Sequence, residues 1–317
     1  MPVSSEQARW AYRLLLGREP ENEQVVTDLH GLADVAALRN NFLNSQEYRE
    51  REGTRSYLST YLDAPAPKVQ VQCTPAEQQA MLDRIADAWA RFGESEPHWS
   101  VLTNDIYRSG TIEDTIEHFY ATGPMDIHVF LRMAERGGTD QTRIKRALDF
   151  GCGVGRLTLA LAERFPEVVG IDVSAGHLKL ARERAEATNV RNVTFEQIGA
   201  INDLDRWKGT FDFVLSRIVL QHNPPPIMAA LLEKLLDALA KGGTAVIQLP
   251  TYIDGQEFVV SDYLANPQPQ MEMNALPQPE VFDIIARTGC RVREVREDES
   301  IGSIPGISQI FVIGKIA

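Results

Sequence analysis

Three cysteines, Cys73, Cys152 and Cys290, are too few and too scattered in 317 residues for a disulfide framework or a cysteine-built metal cluster. Positive charge is also scarce. Lys and Arg number 32 against 44 Asp and Glu, a formal net charge of −12. That balance speaks against a broad nucleic-acid surface, which needs a basic face, though a local basic pocket stays open. No uninterrupted apolar run reaches the roughly 20 residues that cross a bilayer. Residues 1–10 lack the basic-then-apolar order of a secretory leader, so a reducing cytoplasm is the expected compartment. The length exceeds one average domain and suggests two.

What the chain does have is a glycine loop, Ala147-Leu-Asp-Phe-Gly-Cys-Gly-Val-Gly-Arg156. An apolar run precedes it and a helical pattern follows. Glycine opens backbone conformations closed to other residues and lets a ligand come close to the chain. A strand, such a loop and a helix start form a cradle for a nucleotide-like cofactor. The next apolar run ends at Asp172, about where a ribose-binding carboxylate is expected. The dinucleotide fingerprint wants a third glycine three positions after the second. Arg156 stands there instead, and Asp149 precedes the first glycine. A pyrophosphate is repelled by that carboxylate, whereas an ammonium is attracted. Cys152 reads as a small structural residue within the loop.

The pattern D-x-G-x-G-x-G at Asp149–Gly155 resembles the first motif of class I S-adenosyl-L-methionine-dependent methyltransferases. Gly170-Ile-Asp-Val-Ser174 is similar to the second, Phe211–Ser216 with Val219-Leu-Gln-His222 to the fourth-strand motif, and Leu239–Ile247 to the turn and fifth strand. The resemblance covers residues 143–317 and implies S-adenosyl-L-methionine as cofactor. It implies Asp149 near the methionine ammonium and Gly151, Cys152, Gly153 and Gly155 around the methionine and ribose. Asp172 would then accept from the ribose hydroxyls, with Val173, Ser216 and Arg217 also at the cofactor. Arg156 orients the carboxylate or faces solvent. Many relatives bind the adenine amino group with an acid after the third strand. Ala200 stands there, so its backbone and that of Ile201, or the side chains of Asn202 or Asp203, are the substitutes. Catechol-type relatives hold magnesium with clustered carboxylates; the matching pair after strand four is missing, so no metal is expected.

Alternation of strands and helices from residue 143 argues for an α/β domain, a doubly wound and mostly parallel seven-stranded sheet. Strands are expected near 146–150, 167–171, 192–197, 211–216, 244–249, 290–296 and 308–314. Helices are expected near 156–164, 175–187, 226–240 and 278–288. Residues 1–62 read as a small helical domain, 63–75 as a semi-rigid Pro-containing linker, 76–142 as a helical cap, and 143–317 as the methyltransferase domain. Ser4 or Ser5 caps the first helix, whose face holds Trp10, Leu14 and Leu15. A helix starting at Thr74-Pro75 runs through Met81, Leu82, Ile85 and Trp89 and stops at Phe92-Gly93. The N-terminal segment resembles a helical domain found in bacterial surface-glycan proteins. That likeness implies a sugar or glycan-linked acceptor, with homodimerisation or docking through these helices.

His222 follows the fourth strand and is the candidate general base, because imidazole titrates near neutrality. Bracing the adjoining Asn223-Pro-Pro-Pro226 loop is its alternative role. The aromatic and polar residues Trp99, Tyr107, His118 and Tyr120 of the cap, with Tyr252 of the long segment 250–277, are candidate acceptor-pocket residues. That segment reads as a pocket wall, a lid or an oligomer contact. The expected reaction is O-methylation. Methylation of another small metabolite at N or O, and a non-catalytic cofactor-binding scaffold, are the alternatives.

Overall fold

The computed structural model describes residues 3–48, 65–266 and 271–316. They divide into two compact units, Met1–Pro65 and Ala66–Ala317. The expected end of the helical domain at 62 and the start of the linker at 63 lie outside the described residues. No helix among the described residues is long and apolar enough to cross a membrane.

The first unit holds α1 (Ser5–Leu16), α2 (Glu23–Asp28) and α3 (Val35–Leu43). Ser4 and Gln7 form a capping box at the start of α1, and Gly17 ends it at φ 59°. The buried face is Ala8, Ala11 and Leu16, closed by Val3, Val26, Leu38 and Phe42. This corrects the expected face. Trp10 is 48% and Leu14 75% exposed, and of the three only Leu15 packs on the core. Small alanines, which carry little weight in a hydrophobic pattern, let α3 approach α1.

The second unit opens with β1 (Lys68–Val69), α4 (Pro75–Ser95) and α5 (Ile112–Arg136). Thr74 and Glu77 form the capping box of α4, with Pro75 in its first turn. The helix runs past Gly93 instead of stopping there. A Cβ on Gly93 would lie 2.9 Å from Nδ1 of His177, and one on Gly176 2.9 Å from the Gly93 carbonyl oxygen. These two glycines let α4 lie directly against the following helix of the core.

That core is built from β2 (Arg146–Phe150), α6 (Arg156–Ala162), β3 (Glu167–Asp172), α7 (Ala175–Ala187), β4 (Val193–Gln197) and β5 (Phe211–Ser216). It continues with α8 (Pro225–Asp237), β6 (Leu239–Ile253), β7 (Glu257–Phe258), α9 (Val260–Ala265), α10 (Gln278–Arg287), β8 (Cys290–Asp298) and β9 (Gly306–Lys315). The sheet order is β4-β3-β2-β5-β6-β9-β8. The first five strands are parallel, and β9 runs antiparallel to both β6 and β8. The fold is therefore the α/β, doubly wound, seven-stranded sheet expected, with its terminal hairpin.

Both faces of the central strands are buried. Leu148, Val169, Val214 and Ile247 meet α4, α8 and α10 on one side. Ala147, Val168, Phe213 and Val246 meet α5 and α6 on the other. This is why these strands read as continuous apolar runs. Strand order reverses between β2 and β5, so their carboxyl ends diverge and open the crevice where such sheets bind ligands.

Part of the expected linker belongs to the sheet system. Lys68 and Val69 pair in parallel with Glu257 and Phe258. Val69, Val71 and Cys73 pack on the main core. The described residues of segment 250–277 are likewise structured. Its first residues extend β6, β7 and α9 follow, and Leu276 N–H donates to the Pro250 carbonyl at 3.0 Å. Pro267 and Pro269 of that segment lie outside the described residues.

Candidate active site

The loop after β2 is made by backbone conformation. Gly151, Gly153 and Gly155 have φ of 73°, 52° and 83°, all in the left-handed region. A Cβ on Gly151 would collide with the Val219 side chain, and one on Gly153 would lie 2.6 Å from Val101. The N–H groups of Gly151 and Cys152 both donate to the Ile171 carbonyl, at 2.7 and 3.0 Å. Cys152 is buried against Leu178, Ala181 and Phe195, and burial pushes its thiol well up, away from reactive thiolate.

Asp172 fastens the loop from the next strand. Its carboxylate accepts from Gly153 N–H at 2.8 Å and Ser174 N–H at 2.9 Å. Each oxygen keeps a second lone pair, and Asp172 borders the cavity. Asp149 is buried, and its carboxylate accepts from the Thr158 hydroxyl at 2.6 Å. Burial pushes it up to about 6, with the Thr158 hydrogen bond and the Arg156 charge pulling the other way.

Arg156 is not at the surface. It is 4% exposed and donates to Thr122 Oγ1 at 2.9 Å and Asp126 Oδ2 at 2.7 Å. Arg217 pairs with the same Asp126 oxygen. Two guanidinium groups thus share one carboxylate of α5. Gly123 makes room for this, since a Cβ there would sit 2.5 Å from the Arg156 carbonyl oxygen.

A cavity lies over this loop. It brings together Gly151, Gly153, Asp172, Val173 and Arg217. Its remaining wall includes Leu82, Ile85 and Trp89 of α4, Ser100 and Val101, with Ile198, Ile218 and Val219. The cradle a Cβ would fill and the acid at the end of β3 fit an adenosyl cofactor. Gly151, Gly153, Asp172 and Val173 would hold its ribose side and Arg217 its methionine carboxylate, while Asp149 is buried beneath the loop and does not itself border the cavity.

Other candidates lie elsewhere. Ile201 is in the core, and Ala200 opens the 3-10 turn Ile201–Trp207. Asp203 accepts from the N–H groups of Gly199 and Ala200, which holds its carboxyl below the usual range. Ile198 is the residue of that stretch that reaches the cavity. Ser216 is buried at the end of β5. Tyr107 is buried, with its hydroxyl 2.9 Å from His118 Nδ1. The Tyr120 hydroxyl donates to the Val154 carbonyl of the glycine loop at 3.0 Å, and burial raises it to about 12. Trp99 lies under Arg108, and Tyr252 donates to Asp254 at 3.2 Å. None of Trp99, Tyr107, His118, Tyr120 and Tyr252 borders the cavity. The wall comes from α4 instead, whose Leu82, Ile85 and Trp89 the sequence shows only as an apolar helix face.

His222 departs from its expected role. It is 5% exposed, does not border the cavity, and lies behind Trp89 at a ring separation of 5.5 Å. Its Nδ1 is 2.7 Å from the Glu272 carbonyl oxygen and so carries the proton. Burial lowers it to about 4, against the partial compensation of that hydrogen bond. A ring so desolvated does not titrate near neutrality. It braces segment 271–276, as does Gln221, whose carbonyl accepts from Asn274 N–H at 2.8 Å.

Residues 147–243 match the methyltransferase-domain family. A trans-aconitate 2-methyltransferase of Deinococcus radiodurans is 36% identical over 111 residues, 34% of this chain and 39% of that protein. A ubiquinone biosynthesis O-methyltransferase of Psychrobacter arcticus is 36% identical over 104 residues, 32% of this chain and 40% of that protein. The chain thus spans about two fifths of the length of these curated relatives. Magnesium protoporphyrin IX methyltransferase from Synechocystis PCC 6803, solved with bound S-adenosylhomocysteine, superposes with a TM-score of 0.49 at 19% identity. That match covers 73% of this chain and 98% of the other. The family match falls on the glycine loop and on strands β2 to β5 of the seven-stranded sheet: residues 147–243 are similar to a methyltransferase domain.

Proposed function

We propose that the whole protein is a methyltransferase that uses S-adenosyl-L-methionine to methylate an oxygen of a small molecule. The observation that carries this is the three left-handed glycines under the cavity, fastened by Asp172. When bound, the cofactor supplies a methyl group made electrophilic by its sulfonium. Asp172 accepts hydrogen bonds from the ribose. Asp149 attracts the ammonium and Arg217 the carboxylate. Residues Leu82, Ile85 and Trp89 exclude water above them, which favours transfer to the aligned acceptor.

A sugar or glycan-linked acceptor rests on the N-terminal likeness alone. The cavity wall favours a second reading. It is mainly apolar, and none of its titratable side chains is left as a base for the acceptor: Asp172 and Arg217 serve the cofactor, and His177 is bonded to Ser100 at 2.9 Å. Such a site suits an acceptor with an apolar part whose reacting atom needs no enzymatic base, such as an amine, a carboxylate or an acidic hydroxyl.

Calorimetry tests the first step. S-adenosylhomocysteine should bind and NAD should not; the reverse result would overturn the cofactor reading. Transfer of labelled methyl to a panel of sugars, phenols, amines and carboxylic acids then separates the acceptor classes. Cofactor binding without turnover on any of them supports the scaffold alternative.

A further inference from the structure

β5 leaves the sheet through Ser216, and the next three residues, Arg217, Ile218 and Val219, all border the cavity. Ile218 has φ 55°. A β-branched residue in the left-handed region is an outlier held against steric strain. Among the described residues the other non-glycine residue with positive φ is Asn189, a type that tolerates it. The strain at Ile218 therefore needs a partner that holds it.

That partner is Gln248 in the middle of β6. Its Oε1 accepts from Ile218 N–H at 2.7 Å. Its Nε2 donates to Gln221 Oε1 at 2.9 Å and to Ser308 Oγ at 2.8 Å. Gln248 and Ser308 are each 1% exposed, as is Gln221. Two buried side chains and the half-buried Ile218 N–H leave the amide one orientation, because a flipped amide would face Ile218 N–H with its own N–H groups. The turned backbone seats Val219 on Gly151, where only a glycine fits, and leaves Arg217 beside Asp126.

We propose that Gln248, which does not itself border the cavity, is a positioning residue for the cofactor. It holds Ile218 in its strained conformation and thereby fits the wall at 217–219 to the glycine loop. The proposal rests on the cavity being the cofactor site. It differs from simple core packing in one respect: the need for Gln248 should vanish once residue 218 adopts positive φ without cost.

The test is a double-mutant cycle read by calorimetric binding of S-adenosylhomocysteine, which requires no known acceptor. Q248L should weaken binding about 10-fold or more in the parent background, and less than about threefold in the I218G background, where glycine takes the left-handed conformation freely. Q248E keeps an acceptor for Ile218 N–H and should bind more tightly than Q248L. Equal losses from Q248L in both backgrounds would overturn the proposal, as would a Q248L protein that binds like the parent. If Q248L alone does not fold, the double variant should fold and bind within about threefold of I218G; its failure to fold also counts against the proposal. A parent with no affinity for S-adenosylhomocysteine defeats the cofactor reading itself, a result distinct from an unaltered Q248L.

Discussion

The glycine loop at 149–156 and the cap at 76–142 belong to one unit, yet they relate to sequence in opposite ways. In the loop the working parts are backbone N–H groups and the conformations that aim them. Residue type and spacing state such parts almost directly, because Gly151, Gly153 and Gly155 each have φ values that glycine alone adopts freely. In the cap the working parts are side chains, and which side chain reaches the cavity depends on how a long helix is rotated when it docks. Polar-tipped aromatics looked like pocket lining, but Tyr107 and Tyr120 spend their hydroxyls on His118 and on the Val154 carbonyl. The cavity is walled by the plain apolar face of α4.

The largest expected effect tests the loop half of this comparison. Gly151→Ala forces a side chain into a left-handed position and against Val219, at about 1–2 kcal/mol for conformation and 1–3 kcal/mol for overpacking. Affinity for S-adenosylhomocysteine should fall about 100-fold or more in a protein that still shows cooperative unfolding. A fall under threefold would mean that the loop is not the cradle.

Trp89→Ala tests the other half. Removing the ring from the cavity wall should weaken S-adenosylhomocysteine binding about 10-fold, and destabilise the fold by about 3–5 kcal/mol as its contacts to His222 and Phe92 are lost. Trp99→Ala, by contrast, should leave affinity within about twofold. If the two tryptophans exchange these behaviours in titration, the assignment of the wall is wrong.

A smaller effect should appear in pH dependence. Burial raises Asp149 to about 6, so the folded protein binds that proton more tightly than the unfolded chain does. Its contribution to stability is complete below about pH 4 and lost as pH rises through about 6. Cofactor binding runs the other way, because the ammonium needs the carboxylate. Affinity for S-adenosylhomocysteine should strengthen between about pH 5 and 7 in the parent, and Asp149→Asn should flatten that rise. His222, lowered to about 4, adds no inflection in this window on the folded side. A pH profile unchanged by Asp149→Asn would remove the carboxyl from the ammonium site.

The smallest effect belongs to Tyr107→Phe. It breaks one hydrogen bond inside the cap and should lower stability by about 0.5–1.5 kcal/mol, measured in urea, without altering cofactor affinity. A change in affinity would bring the cap aromatics back to the site.

These contrasts explain what could be read beforehand. β2 and β5 end where apolar runs meet Gly151 and Arg217, and α7 begins at the Ser174 cap, because each boundary is set by a local residue choice. Gly93 reads as a stop in the sequence because a glycine that ends a helix and one that admits a neighbouring helix look alike in one dimension. Arg156 looked exposable at a helix start, and only the fold brings Asp126 beneath it from 30 residues earlier. The strained Ile218 left no sequence signal at all. Its partner Gln248 is 30 residues away and is conspicuous only as an amide inside an apolar strand.

The tie between Lys68–Val69 and Glu257–Phe258 also orders events in time. Chain synthesis makes α4 early, but the helices it rests on, α7, α8 and α9, come later, the last of them at Val260–Ala265. At about 5–20 residues per second, α4 waits on the order of 10–30 s for its full seat. Throughout that interval Met81, Leu82, Ile85 and Trp89 have nothing complete to cover them. The wall of the cavity is therefore a stretch that a chaperone would find uncovered throughout that interval, and the first long helix of the second unit is among the last of its parts to be finished.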